Sequence, residues 1–258
     1  MGQDEIYLFF VGTAGSGKST LTSVYRKWAQ IQNIDTILVN LDPGAENLPY
    51  TPDVDVRDWI SLEEIMDSHG LGPNGAQIAC ADLIALNIHE LKESIDSFHS
   101  DYVIIDTPGQ LELFVFRESG KHIIHQFHDY RSVIVYLIDY ILAKNPSGFI
   151  SQLLLSLSTN FRIIKPQINV LSKADMLSDD EKMRVMDWAK DPDFLTNALV
   201  QEQASIYREM AEGILQLLQQ FQSYAPLIAT GKEGFLGIDD LYTAIQIIHE
   251  GGEDKGQD

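Results

Sequence analysis

The 258 residues, 45% of them hydrophobic, suffice for one large domain with a substantial buried core. No stretch reaches the roughly 18 uninterrupted apolar residues of a membrane span, and the acidic start Met1-Gly2-Gln3-Asp4-Glu5, followed by Ile6, matches neither a signal peptide nor a myristoylation site. A formal net charge of −20 repels phosphate backbones, so general binding to nucleic acid or anionic membrane is disfavoured and any bound phosphate must be held by local geometry.

Cys80 is the single cysteine and closes no internal disulfide, in keeping with a cytoplasmic protein and with a small core side chain. Apolar runs at 6–11, 36–41, 102–105, 133–138, 168–171 and 227–229 read as strands. After the first, Leu21, Val24, Tyr25, Trp28 and Ile31 recur at helical spacing on one face. Such alternation predicts an α/β fold, a mostly parallel central sheet flanked by helices. Residues 1–250 are expected to form one domain with helical insertions at about 56–98 and 176–224, and 251–258 a disordered tail. Ser61 with Glu64 reads as a capping box. Ile206, Met210, Ile214, Leu217, Leu218 and Phe221 form an apolar stripe suited to the core or to a docking surface.

Between the first strand and helix lies Gly12-Thr13-Ala14-Gly15-Ser16-Gly17-Lys18-Ser19, followed by Thr20, a phosphate-loop pattern in the strand-to-helix context it requires. Glycines allow successive N–H groups to curl around phosphates, and the helix N-terminus adds partial positive charge. Lys18 suits the β- and γ-phosphates and Ser19 a Mg²⁺ ion. Asp106 ends the run 102–105 and would hold Mg²⁺ through water, while Gly109 leaves room for an N–H to face the γ-phosphate. A plain Asp-Thr-Pro-Gly turn is the structural alternative.

Ser172-Lys173-Ala174-Asp175 matches a guanine-reading motif, with Ser172 where Asn is usual. Asp175 can accept from the N1–H and amine of guanine, and the Lys173 stem can lie on the base. Ala229-Thr230-Gly231 resembles a loop whose N–H reads the guanine O6, with Gly231 departing from the common pattern. An ordinary charged helix start at Asp175 and Ser178 is the alternative. His122, His125 and His128 recur every third residue without a completing ligand set, which suits a helix face better than a metal site.

Together with Gly72-Pro73-Asn74, the segments Asn40-Leu41-Asp42-Pro43-Gly44-Ala45-Glu46, Asp55-Val56-Arg57-Asp58 and Thr107-Pro108-Gly109-Gln110-Leu111-Glu112 make the chain resemble the GPN-loop GTPases, closely the short archaeal type, from about residue 6 to about 248. On its own, Pro73-Asn74-Gly75 is a tight turn. The resemblance implies a Mg²⁺-dependent, homodimeric GTPase, bound to GTP or GDP, whose Gly72-Pro73-Asn74 loop approaches the partner's γ-phosphate site. It belongs to the dimeric branch related to signal-recognition and MinD-like proteins. Thr13 and Ala14 stand where many MinD-like members carry an extra lysine, leaving Asn74, and Arg57 or Arg117, as candidates to accommodate transition-state charge. Asp42 is the candidate for orienting or deprotonating the attacking water or joining the magnesium shell, with Gln110 and Glu112 as candidates for positioning it. Glu112 reads equally as an exposed helix carboxylate.

Three functions remain: a GTPase switch acting on a protein client, with complex assembly suggested by analogy alone; a phosphate-loop nucleoside or polynucleotide kinase; and a module that holds GTP with little turnover. The guanine motif argues against the kinase, and retention of Asp42, Gln110 and Glu112 against the inert module.

Overall fold

The computed structural model describes residues 5–127, 131–202, 213, 214, 217 and 227–253, and the side chains of these except 112, 113, 202 and 251–253. Among the described residues seven strands form one sheet: β1 (Ile6–Gly12), β2 (Thr36–Asn40), β3 (Val54–Asp55), β4 (Tyr102–Asp106), β5 (Arg131–Asp139), β6 (Gln167–Ser172) and β7 (Ile228–Ala229). Their order is β3-β2-β4-β1-β5-β6-β7, and every pairing is parallel. The sheet is thus wholly parallel, where the sequence pattern called for a mostly parallel one.

The strands read as continuous apolar runs because both faces are covered. In β1, Tyr7, Phe9 and Val11 enter one core while Ile6, Leu8 and Phe10 enter the other, as a side-chain period of two requires. The second core is closed by α1 (Lys18–Ile31), through Leu21, Val24, Tyr25 and Trp28, and by α11 (Ile238–Glu253), through Ile238, Leu241 and Ile245. Trp28 Nε1 donates to Asp239 Oδ1 at 3.1 Å and ties these two helices together. Ile31, the last residue of α1, is 64% exposed, so the apolar face ends one turn earlier than its spacing predicts.

The opposite face carries the helical insertion 56–98 as α2 (Leu62–His69), α3 (Pro73–Leu86) and α4 (Ile88–Asp96). The short α5 (Leu111–Phe114) and α6 (Glu118–His125) follow β4, α7 (Tyr140–Ala143) and α8 (Pro146–Ile163) follow β5, and α9 (Asp179–Lys190) and α10 (Pro192–Glu202) follow β6. The Ser61 hydroxyl accepts from Glu64 N, forming half of the expected box; the reciprocal box is at Ser178 and Glu181, opening α9.

Of the apolar stripe, Ile206, Met210, Leu218 and Phe221 lie outside the described residues; Ile214 packs on the core and Leu217 is exposed. His128 also lies outside them. Helix α11 continues through Gly251 and Gly252 to Glu253, into the stretch expected to be a disordered tail.

Candidate functional site

The phosphate-loop pattern occupies the carboxyl end of β1, the central strand, where parallel α/β sheets open a crevice. Two of its glycines are demanded by geometry. A Cβ on Gly12 would stand 2.6 Å from Ser16 Oγ and 2.9 Å from the Leu137 carbonyl. Gly17, which caps α1, has φ +100°, and a Cβ there would lie 2.9 Å from Ser172 Oγ. This close approach seats the loop against the strand carrying the guanine-type motif. Lys18 is buried and donates from Nζ to the carbonyls of Gly12 and Thr13, each at 3.0 Å.

Asp106 is 1% exposed at the end of β4. Its Oδ2 accepts from the Tyr50 hydroxyl at 2.8 Å, whereas its buried Oδ1 has no hydrogen-bond partner. Burial pushes this carboxyl up to about 6, with Ser19, Tyr50 and Lys18 drawing it down and Asp42 adding to the rise. Burial also lowers the Lys18 pKa, while Asp106 and Asp42 raise it and Lys173 lowers it further. A lysine and two carboxylates therefore converge here, with Ser19 beside the carboxylate that has an unfilled oxygen. Such a donor set fits a hard cation such as Mg²⁺, which takes oxygen ligands and keeps most of its waters.

Thr107 donates from Oγ1 to the Phe10 carbonyl at 2.7 Å and turns the chain over the end of β1. A Cβ on Gly109 would stand 3.7 Å from Ala14 Cα, so this turn packs directly on the phosphate loop. Asp42, Gln110, Gly109 and Ala14 meet around a cavity of about 170 Å³, together with Gln77 from α3. Asp42 Oδ1 accepts from Gly44 N at 2.9 Å. Its backbone is held from both sides by Asn40, whose Nδ2 also donates to Asp55 Oδ1 at 2.9 Å.

Arg57 completes that network. Its guanidinium grips both Asp55 oxygens and donates to the Ala45 carbonyl at 2.7 Å. Burial alone would raise the Asp55 pKa, but the bonds from Arg57 and Asn40 outweigh it and hold the carboxyl below its usual range. Arg57 is thereby committed to shaping the 42–57 segment, and Arg117 pairs with Asp82 at 3.0 Å. Neither guanidinium stands free to meet a phosphate in this conformation. The Glu112 side chain lies outside the described ones.

On the other side of the loop, a cavity of about 340 Å³ is bordered by Gly17, Thr20, Ser172, Lys173, Asp175 and Gly231, among others. Lys173 adopts a left-handed backbone (φ +55°) and spans the site, donating from Nζ to the Gly15 carbonyl at 2.6 Å and lying 5.9 Å from the Tyr140 ring centroid. Ser172 is buried against Gly17.

Asp175 Oδ2 accepts from the N–H groups of Lys232 and Glu233, at 3.0 and 3.3 Å. Glycine at 231 has a steric reason, since a Cβ there would stand 2.8 Å from Asp175 Cγ. The strand end and the motif are stitched together, with Thr230 N donating to the Leu171 carbonyl and Ala174 N to the Thr230 carbonyl. Gly231 N in turn donates to the Leu236 carbonyl at 3.1 Å, so every N–H from 230 to 233 is engaged. Contact of this loop with a base carbonyl therefore requires one of those bonds to open.

Gly72 caps α3 and Pro73 opens it, in keeping with proline's preset φ at a first helical position. Gly72, Pro73 and Asn74 are exposed and do not border the cavity shared by Asp42 and Gln110. Sequence patterns had not pointed to Tyr50, Gln77 or Tyr140. Each is a single side chain delivered by tertiary packing, and only the placement of Gln77 one turn after Asn74 offered a signal.

A phosphate-loop strand-to-helix junction, a buried carboxylate on the neighbouring strand and a Ser-Lys-x-Asp pocket, all on one parallel sheet, define a phosphate-loop NTPase. Residues 10–250 match the family described as "Conserved hypothetical ATP binding protein". The chain is 38% identical over 192 residues to the GPN-loop GTPase PAB0955 of Pyrococcus abyssi, covering 74% of this chain and 76% of that protein. It is 30% identical to GPN-loop GTPase 3 of Mycosarcoma maydis, covering 95% and 91%. The crystal structure of PAB0955, a GTPase in apo form, superposes with a TM-score of 0.86 at 32% identity, covering 96% of this chain and 99% of that one. The chain belongs to the GPN-loop GTPase family.

Proposed function

We propose that this chain is a cytoplasmic, homodimeric switch that hydrolyses GTP to GDP and phosphate with Mg²⁺ and acts on a protein client. The observation that carries the reading is the two-sided use of one loop. Gly17 and Gly15 touch Ser172 and Lys173 on the base side, while Lys18 and Ser19 face Asp106 and Asp42 on the phosphate side.

On GTP binding, Lys18 exchanges the Gly12 and Thr13 carbonyls for β- and γ-phosphate oxygens. Ser19 and Asp106 would hold Mg²⁺, directly and through water, and the bound ion would neutralise charge on the β- and γ-phosphates. Asp42, with Oδ1 anchored on Gly44, retains its other oxygen to orient the attacking water, and Gln110 borders the same cavity. Asp175 and the Lys173 stem favour guanine over adenine. The resting bonds of Asp175 to Lys232 and Glu233 open to admit the base.

Exposure of Asn74 outside its own subunit's cavity supports a role for the loop across a dimer. Mixing Lys18→Ala with Asn74→Ala tests it. Random subunit exchange makes half of the dimers mixed, each with one intact composite site of two, so activity should recover to about a quarter of wild type. With exchange and folding demonstrated, activity equal to the average of the two parents would place the loop's action within its own subunit.

A further inference from the structure

We propose that Tyr50 is a positioning residue for the Asp106 carboxylate, fixing which of its oxygens is left for the metal shell; this rests on the reading of Asp106 as the magnesium-side carboxylate. The Tyr50 hydroxyl donates to Oδ2 at 2.8 Å, and the buried Oδ1 has no partner. A carboxylate turns about a broad two-fold torsion, so without a fixed donor its two oxygens are interchangeable. The Tyr50 donor on Oδ2 removes that degeneracy and leaves Oδ1, the oxygen without a hydrogen-bond partner, as the acceptor, with Ser19 beside the same carboxyl. Burying a carboxylate oxygen without a partner is costly, and a ligand shell would relieve that cost.

A loop tyrosine can do this only if the loop is held, and three ties hold it. Pro49, the preceding residue, accepts through its carbonyl from Ser23 Oγ at 3.0 Å. Asp53 N donates to the Leu38 carbonyl at 2.8 Å, and Leu38 N returns a bond to Asp53 Oδ2 at 2.7 Å. The Tyr50 ring itself packs on the core that contains Leu21, Val24 and Tyr25 of α1. Ser23 also lies on α1, which begins at Lys18, so the hydroxyl is referenced to the helix that carries the phosphate loop. The segment between β2 and β3 consequently supplies both Asp42 and the donor that orients Asp106. A tyrosine that merely tied this segment to the sheet would contribute to stability and not to metal dependence.

Tyr50→Phe keeps the ring and removes the donor. The measurement is release of a fluorescent GDP analogue from the full chain in EDTA and across a Mg²⁺ titration, with thermal unfolding in EDTA as the folding control. We expect release in EDTA to match wild type, and the Mg²⁺ concentration for half-maximal retention to rise about tenfold, as for loss of a hydrogen bond behind a metal ligand. Ser23→Ala, which loosens Pro49 but keeps the hydroxyl, should shift it less, and should add nothing to Tyr50→Phe because both act through the same oxygen. An unchanged Mg²⁺ requirement in Tyr50→Phe, or full additivity in the double variant, overturns the proposal. If Tyr50→Phe fails to fold, an unchanged requirement in Ser23→Ala overturns it. GDP release that ignores Mg²⁺ in the wild-type protein would instead remove the magnesium reading itself.

Discussion

Lys173 reaches across the mouth of the sheet to donate from Nζ to the carbonyl of Gly15 at 2.6 Å, joining the Ser172–Asp175 cavity to the phosphate loop by one side chain. The stem spanning that distance can cover a base plane while the ammonium steadies the loop. Lys173→Met retains the stem and deletes the tie. GTP affinity measured by calorimetry should fall about tenfold, as for one charge-assisted bond, while preference for guanine over adenine persists. Wild-type affinity in Lys173→Met would show that the tie is dispensable.

Lys18→Ala removes the charge that, in the proposed reading, meets the β- and γ-phosphates. Single-turnover hydrolysis should drop at least about 100-fold, the scale for losing a preorganised electrostatic group. Circular dichroism should remain that of the folded protein, because the buried ammonium is itself costly to desolvate.

Asp175→Asn should turn the pocket from guanine towards xanthine, whose ring offers an acceptor where guanine carries an amine. Relative affinity for xanthosine triphosphate over GTP should rise by about two orders of magnitude, read by competition binding. Before a base enters, the amide oxygen can keep accepting from Lys232 N and Glu233 N, so the resting loop should stay in place. An unaltered nucleotide preference would remove Asp175 from base reading.

Arg57→Ala separates two roles for this guanidinium. As the clamp on Asp55 and Ala45, its loss should cost about 1–2 kcal/mol in denaturant unfolding, after allowance for partial solvent screening. Hydrolysis should fall only several-fold through loosened placement of Asp42; a loss of 1000-fold or more would fit a transition-state charge group instead. Because Asp55 titrates below its ordinary value, the contribution is fully present above about pH 4 and disappears as pH falls through the depressed folded value. Wild-type and Arg57→Ala unfolding curves should therefore converge in acid.

The parallel sheet was legible because doubly covered strands are written as unbroken apolar runs, as in β1 and β5. Strand β3 escaped because two residues, Val54 and Asp55, make no run at all; parallel pairing to Val39 and Asn40 creates the strand. The phosphate loop was legible because its constraint is local, with glycines required within a few residues of one another. Tyr50 was not, because its partner Asp106 is distant in sequence and only the return of β4 beside β2 brings them together. The resting bonds of Asp175 escaped for a similar reason: a motif names an acceptor and is silent about which backbone donors already occupy it.

Phosphate release from GTP and from ATP, each with Mg²⁺ and with EDTA, is the decisive measurement of Mg²⁺-dependent GTP hydrolysis, made on the wild-type protein over a range of protein concentrations. Release from GTP should depend on Mg²⁺, far exceed release from ATP, and rise per subunit as dimers form. Equal release from ATP, or GTP turnover that persists in EDTA, would contradict a Mg²⁺-dependent, guanine-selective hydrolase.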